Sequence, residues 1–200
     1  MRVLFALTVC AASLVHAGPA AAQDKTASDR AAAVRYLEDT RQAFLKAIGN
    51  VSEAQWKFKA GPDRWSVAEV AEHIALSEET ILGMIQTKML AAPPLSGPGI
   101  PDDKLIAGIT DRSQKATAPE MLKPVNRWAT REALTKDFNA ARDRTIAWVK
   151  STKEDLRAHA APHPAFGPLD VHQWVLLLAG HSARHTAQIE EVKTQTGYPK

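Results

Sequence analysis

The sequence has few of the residues that support redox or covalent chemistry. Its 200 residues include a single cysteine, Cys10, so the chain cannot form an internal disulfide. The net charge is also small, because 25 basic and 22 acidic residues leave a formal net charge of +3. The basic residues are interspersed with acidic ones, which is typical of solvated helix faces. We therefore expect no nucleic-acid partner.

Several common catalytic motifs are missing from the chain. It has no Gly-x-Ser-x-Gly, no P-loop and no Gly-x-Gly-x-x-Gly, so serine-hydrolase and nucleotide-binding arrangements of those types are not indicated. It also lacks the His-Glu-x-x-His pattern of zinc proteases, since Ser182 follows His181 where that pattern requires glutamate. A metalloprotease of that type is not indicated either.

The apolar run at the N-terminus is too short to be a transmembrane helix. Val3–Val15 has 13 residues, whereas a spanning helix needs about 20. The run follows the basic Arg2 and precedes an Ala-Ala-Ala site ending at Ala22, which is typical of a signal peptide. We predict that residues 1–22 are cleaved after Ala22 and that the mature protein is periplasmic or secreted, without a membrane anchor. Cleavage would also remove the only cysteine.

The remaining residues, 23–200, predict one domain built from helices. Apolar residues recur at helical spacing, and no alternating β pattern or hairpin turn is visible. The four predicted long helices cover residues 28–48, 66–89, 130–149 and 170–192. A short helical turn at 52–55 and a short helix within 102–115 are also indicated. We predict an all-α fold, an antiparallel up-down four-helix bundle with one long Pro-rich loop over residues 92–128.

Two helix starts carry a capping-box pattern, in which an N-cap side chain and a residue three positions later cap each other. Ser66 with Glu69 predicts the start of the second long helix. Asp170 with Gln173 predicts the start of the fourth.

Seven histidines carry most of the chemistry that the sequence offers. His181 and His185 are four residues apart on one predicted helix, on the face that also carries its apolar residues. His73 lies within the apolar stripe of the second long helix, which a bundle can bring opposite that pair. The other four are interpreted as part of the leader (His16) or as solvent-facing or packing residues (His159, His163 and His172).

Two interpretations of His73, His181 and His185 remain open from the residues alone. Each imidazole can be a hydrogen-bonded core residue, or the three can share one divalent ion that satisfies a nitrogen of each ring. Three protein ligands would leave a further coordination position for water or substrate. Zn²⁺ is the first expectation for the metal, with Ni, Fe and Mn as alternatives.

Residues around these histidines supply further candidates for the site. Glu69 and Glu72 are candidate general bases, although no catalytic residue is assigned. Ser77 and Gln188 are candidates for orienting a histidine ring. The side chains expected to line a pocket are Trp65 and Trp174, and the loops expected to wall it are residues 93–101 and 161–168.

Two segments carry a resemblance to a known family. The segment Trp65–His73, W-S-V-A-E-V-A-E-H, resembles the W-S-x-x-E-x-x-x-H segment of the DinB-like metalloprotein superfamily. The segment His181–Ile189, H-S-A-R-H-T-A-Q-I, resembles its second signature, H-x-x-R-H-x-x-Q-I. The resemblance extends over about residues 28–193. It implies a DinB-type four-helix bundle with a divalent metal bound by His73, His181 and His185.

The family also implies a range of activities. Its characterised members include metal-dependent thiol S-transferases that use bacillithiol or mycothiol, and a maleylpyruvate isomerase. Those thiols belong to the reducing cytoplasm, so the predicted export argues against them here. We expect an exported metal-dependent hydrolase or transferase acting on an unknown small-molecule substrate. The alternatives are a thiol S-transferase or a metal-binding protein without turnover, and a homodimer is left open.

Overall fold

The computed structural model describes residues 19–94, 96 and 99–200, and four long helices dominate it. These helices are α1 (Pro19–Gly49), α3 (Val67–Met84), α5 (Arg131–Ser151) and α6 (Val171–Lys193). The predicted all-α four-helix bundle is confirmed. The first helix begins nine residues earlier than expected, because the Ala-rich stretch that follows Pro19 has high helix propensity.

Shorter elements fill the connections. They are α2 (Glu53–Lys57), a π-helical turn (Ile85–Met89) that continues α3, α4 (Asp102–Thr110), a 3₁₀ turn (Glu120–Leu122), and strands β1 (Ala160–His163) and β2 (Gly167–Asp170). The two strands form an antiparallel hairpin in which Ala160 pairs with Asp170 and His163 with Gly167. The sequence did not predict this hairpin, because strands of four residues that contain proline leave no alternating pattern.

The helix starts follow the predicted capping chemistry. The Ser66 hydroxyl accepts from the Glu69 amide, and the Glu69 carboxylate accepts from the Ser66 amide at 2.7 Å. Asp170 and Gln173 cap α6 in the same reciprocal way. These caps satisfy amide groups that the first turn of a helix otherwise leaves without partners.

Helix directions depart from a simple up-down alternation. The Lys193 ammonium, at the end of α6, donates to the carbonyl of Ala47 near the end of α1, so these two neighbouring helices are parallel. The Arg131 side chain, at the start of α5, donates to the carbonyl of Val51 just after α1, so α5 runs antiparallel to α1. The long connection between α3 and α5 explains these directions. It brings the chain back to the end of the bundle where α3 begins, so that α3 and α5 are parallel.

The helix α6 is the common packing partner of the fold. It packs against α1, α3 and α4, whereas α5 packs against α1 and α3 from the other side. Gly180 marks a close approach of α4 to α6, since a Cβ atom there would lie 3.0 Å from the Ile109 side chain. The residue that follows Gly180 is His181, so this contact fixes the backbone next to the histidine pair.

A buried ion pair lies at the centre of the bundle. Arg142 of α5 and Glu78 of α3 are 0% and 1% exposed, and two nitrogens of the guanidinium donate to the carboxylate at 2.8 and 2.9 Å. Arg142 also donates to the Ser182 hydroxyl of α6 at 2.8 Å and to the Leu37 carbonyl of α1. One side chain therefore ties together all four long helices.

The prediction of a leader at residues 1–22 concerns residues that lie mostly outside the described part, and it stays a prediction. Among the described residues, no helix combines the length and the apolar character needed to cross a bilayer.

Replacement of Glu78 by alanine is expected to destabilise the fold by about 3–5 kcal/mol, because it leaves the buried Arg142 charge without its partner. Urea unfolding monitored by circular dichroism measures this loss. The control is Glu79→Ala, which removes an exposed carboxylate paired with Arg144 and should change the unfolding free energy by less than about 1 kcal/mol. Equal losses in the two variants would contradict the assigned role of the buried pair.

Candidate metal centre

Three histidines from two helices converge at one point of the bundle. His73 of α3 and the pair His181 and His185 of α6 each offer a ring nitrogen, and these atoms all lie within 4.8 Å of one another. The Nε2 atoms of His73 and His181 are 3.1 Å apart. The ring centroids are separated by 4.4 to 4.8 Å. The structure thus brings together the three histidines that the sequence singled out.

The helix positions explain why the rings meet. Residues four apart on a helix lie on the same face, so His181 and His185 both point toward the neighbouring α3. His73 is 2% exposed, whereas residues His181 and His185 are half-buried. Solvent therefore reaches the histidine group from the α6 side.

Burial keeps the three rings neutral near pH 7. Desolvation lowers the pKa of His73, and it lowers that of His181 well below the usual value, with further lowering from the neighbouring His185. The pKa of His185 falls to about 3, again chiefly through desolvation and then through His73. A neutral imidazole keeps a free lone pair on one nitrogen, which is the form that binds a metal.

Hydrogen bonds set the tautomers of two of the rings. The Nδ1–H group of His73 donates to the carbonyl of Leu122 at 2.8 Å. The Nδ1–H group of His185 donates to the side-chain oxygen of Gln188 at 2.8 Å, so Gln188 orients a ring as expected. In both residues Nε2 keeps its lone pair, and Nε2 of His73 lies 3.1 Å from Nε2 of His181. Metal-binding histidines usually have one ring nitrogen hydrogen-bonded in this way.

The spacing of two ring nitrogens in this group fits a divalent cation. Two ligand nitrogens at about 2.0–2.1 Å from a tetrahedral ion lie about 3.3 Å apart, close to the 3.1 Å between Nε2 of His73 and Nε2 of His181. Three neutral imidazoles are a donor set used by zinc and other first-row metals. His73, His181 and His185 are therefore the residues that would hold such an ion.

Neither candidate general base is available to this site. The Glu69 carboxylate caps α3 and forms an ion pair with Lys59 at 2.9 Å. The Glu72 carboxylate is buried, and it accepts from the backbone amides of residues 125–127 at 2.7 to 3.1 Å. A carboxylate that already accepts three hydrogen bonds is poorly placed to accept a substrate proton.

Glu72 and His73 together hold the loop that precedes α5. Glu72 binds amides of residues 125–127, while the neighbouring His73 binds the carbonyl of Leu122. Asn126, with a φ of 60°, adopts the left-handed conformation that lets three successive amides face one carboxylate. Sequence patterns gave no sign of this clamp, because a backbone carbonyl and a loop conformation leave no motif.

Other expected site residues lie elsewhere or act differently. The Ser77 hydroxyl donates to the backbone carbonyl of His73 and does not contact its ring. Trp65 does line the site, with its ring centroid 5.1 Å from that of His73. Trp174 is buried near the start of α6, where it packs against His163 and donates to the Ala161 carbonyl.

The loops expected to wall the pocket lie at the opposite end of the bundle. The hairpin packs by the start of α6, and Pro94 pairs with His159 in an isolated bridge. Of the loop 93–101, residues 95, 97 and 98 lie outside the described part. The loop that contacts the histidine group is instead the one between α4 and α5.

The histidines at positions 159, 163 and 172 do not join the group; His172 is buried beside Asp102.

A family model for the DinB superfamily matches residues 36–189. The chain belongs to the DinB superfamily. The matched residues span most of the chain and include all three histidines of the cluster.

One protein matches this chain in sequence, and two solved structures match it in structure comparison. The uncharacterized protein YuaE of Bacillus subtilis (strain 168) is 27% identical over 157 residues, covering 78% of this chain and 94% of that protein. The structure of YfiT from Bacillus subtilis, described as a probable metal-dependent hydrolase with an unusual four-helix bundle topology, superimposes with a TM-score of 0.56. It is 16% identical, and the match covers 85% of this chain and 89% of YfiT. TT2238, described as a four-helix bundle protein, matches with a TM-score of 0.47 and 21% identity over 81% of this chain and 98% of its own.

The metal-free DinB-type bundle is expected to lose stability as the pH falls. His185 takes up its proton in the unfolded chain near pH 6.5 but in the folded chain only near pH 3. Because the unfolded state binds more protons between these values, the unfolding free energy decreases as the pH drops through this interval. Urea unfolding of the wild type and of His185→Gln at about pH 7.5 and about pH 5 tests this, since the variant should lose less stability. Equal losses would contradict it.

Proposed function

We propose that this protein is a metal-dependent hydrolase or transferase acting on a small substrate. The proposal assigns the Nε2 atoms of His73, His181 and His185 as ligands of one divalent cation. The observation that carries it is the convergence of three neutral, partly desolvated imidazoles on one point. The description of the structurally similar YfiT as a probable metal-dependent hydrolase supports the same assignment.

Hydrogen bonding alone explains the cluster less well. With Nδ1–H of His73 and of His185 donated outward, the Nε2 atoms of both rings are acceptors. If His181 carries its proton on Nε2, this N–H group can donate to only one of the two acceptors. It lies 3.1 Å from Nε2 of His73. Within the described chain, no donor faces Nε2 of His185. A shared cation would satisfy all three nitrogens at once, which favours metal binding over a purely structural cluster.

The proposed centre leaves room for chemistry. A divalent cation supplies Lewis-acid catalysis, and three protein ligands leave a further coordination position for substrate or water. Leu122 and Gln188 hold two of the rings in the ligating orientation, and Trp65 covers one side of His73. Since Glu69 and Glu72 are engaged elsewhere, we assign no carboxylate as general base.

Metal analysis tests the ligand set directly. Wild type, His185→Ala and the control His163→Ala are stripped with a chelator, loaded separately with Zn²⁺, Ni²⁺, Fe²⁺ or Mn²⁺, and dialysed. We expect about one bound ion per chain for wild type and control, and a large loss for His185→Ala, because two ligands hold an ion far more weakly than three. Sub-stoichiometric metal in the wild type for every ion would refute the proposal.

The same three proteins separate turnover from binding. Rates on a panel of ester, amide and lactone substrates, with and without added low-molecular-weight thiol, should rise with metal in the wild type and control only. Conjugation that requires both metal and thiol would instead identify a thiol S-transferase. Stoichiometric metal without turnover under any condition would leave a metal-binding protein and exclude the enzymatic part of the proposal.

We also propose that the protein is exported. The basic start, the short apolar run and the small-residue site before Gln23 support this proposal. Mass spectrometry of the mature protein recovered from its host should show a chain that begins at Gln23. A full-length chain confined to the cytoplasmic fraction would contradict export and remove the objection to cytoplasmic thiols.

A further inference from the structure

Four cations lie around the histidine group. Arg64 precedes α3 and lines a cleft with Trp65 and Gln188. Arg112 follows α4 and pairs with Glu191, Arg184 directly precedes His185, and Lys115 follows Gln114, whose carbonyl accepts from Arg184. The proposed function uses none of them. Their arrangement bears on the kind of molecule that can approach the site.

Arg184 is held beside the histidines by hydrogen bonds to backbone carbonyls. It directly precedes His185, and its guanidinium donates to the backbone carbonyls of Ile109, Asp111 and Gln114. Carbonyl oxygens satisfy the N–H groups but carry no net charge, so the positive charge stays in place. The carboxylates of Asp111 and Glu191 offset part of it.

Arg112 forms the one tight ion pair of this region. Its guanidinium donates to both carboxylate oxygens of Glu191, at 2.5 and 2.7 Å. The pKa of Glu191 is lowered mainly by Arg112 and further by Arg64 and Lys115, so Glu191 faces three cations. One carboxylate cannot neutralise all three.

Arg64 and Lys115 are the two charges left over. Both are exposed, and neither forms an ion pair with an acidic side chain of the described residues. Arg64 lines a shallow cleft of about 20 Å³ together with Trp65, Gln188 and Glu191. Trp65 contacts the ring of His73 and Gln188 contacts that of His185, so this cleft directly adjoins the histidine group.

The charge count around the site is therefore positive before any metal is added. The carboxylates near these four cations are Glu191, Asp111 and the exposed Asp63, which directly precedes Arg64 in the chain. The nearest carboxylates on α3 do not change this balance, because Glu69 is paired with Lys59 and Glu72 binds backbone amides inside the fold. An excess of positive charge beside a concave site attracts small anions and raises their local concentration.

We propose that the site takes a small anionic substrate whose carboxylate or phosphate group binds Arg64 and Lys115, while the reacting part lies toward the histidines. Guanidinium and ammonium groups bind both oxyanions through charge-assisted hydrogen bonds. The reaction of this anionic substrate rests on the proposed function, whereas the binding of the anion depends only on the cations.

Matched ligands test the charge preference. Benzoate and phenyl phosphate are compared with the neutral benzamide by isothermal titration calorimetry on metal-free and Zn²⁺-loaded protein. We expect at least one of the two anions to bind about tenfold more tightly than benzamide in both forms, and this preference to decline at high salt because exposed charges are screened. The better of the two identifies the preferred oxyanion.

Variants locate the binding group. Arg64→Ala should weaken anion binding about threefold to tenfold and leave benzamide unchanged, since one of the two proposed anchoring charges is lost. Lys150→Ala, an exposed cation near the end of α5 at the other end of the bundle, serves as the matched control and should bind like the wild type. Circular dichroism checks that each variant is folded.

The outcomes separate this inference from the proposed function. Equal affinity for anions and benzamide, or an anion preference that Arg64→Ala does not change, overturns the inference even when the protein binds zinc. Anion binding that requires zinc and is unchanged in Arg64→Ala also overturns the inference, because the metal alone then attracts the ligand. An Arg64-dependent preference in a protein that binds no metal supports the anion site and refutes the metal centre.

Discussion

The contact between α3 and α6 is the constraint on which the rest of this structure depends. Arg142 crosses from α5 to bind Glu78 of α3 and Ser182 of α6 in the buried centre of the bundle. Ser182 directly follows His181, and Glu78 lies five residues after His73. Because an unpaired buried charge is costly, this network allows little variation in the spacing of the two helices. The same spacing sets the distance between the histidines.

The histidine group is also held from the outside. Glu72 and His73 are neighbours on α3, and both bind the loop that leads into α5, one through amides and the other through the Leu122 carbonyl. Within α6, the Gln188 side chain accepts a hydrogen bond from the ring of His185. The rings of His73 and His185 are thus oriented by groups outside the histidine cluster, which limits how far these rings can turn. The four cations near the histidines lie outside these groups.

Much of the site could be predicted from the sequence because it lies on regular helices. Helical spacing placed His73 in an apolar stripe and put His181 and His185 on one face, and the capping boxes located the starts of α3 and α6. Features outside regular helices were missed. The hairpin is too short and too rich in proline to show a period, and the buried role of Glu72 depends on a loop that is distant in sequence.

The long helices, two of their caps and the three clustered histidines could be predicted from the sequence, because they depend on spacing and on contacts within a few residues. Tertiary contacts, by contrast, set the parallel pairing of α1 with α6, the hydrogen bond from His73 to Leu122, and the grouping of Arg64, Arg112 and Lys115 with Arg184 near the histidines. Those features join residues that are far apart in the chain, so they exist only once the long connection has folded back along the bundle.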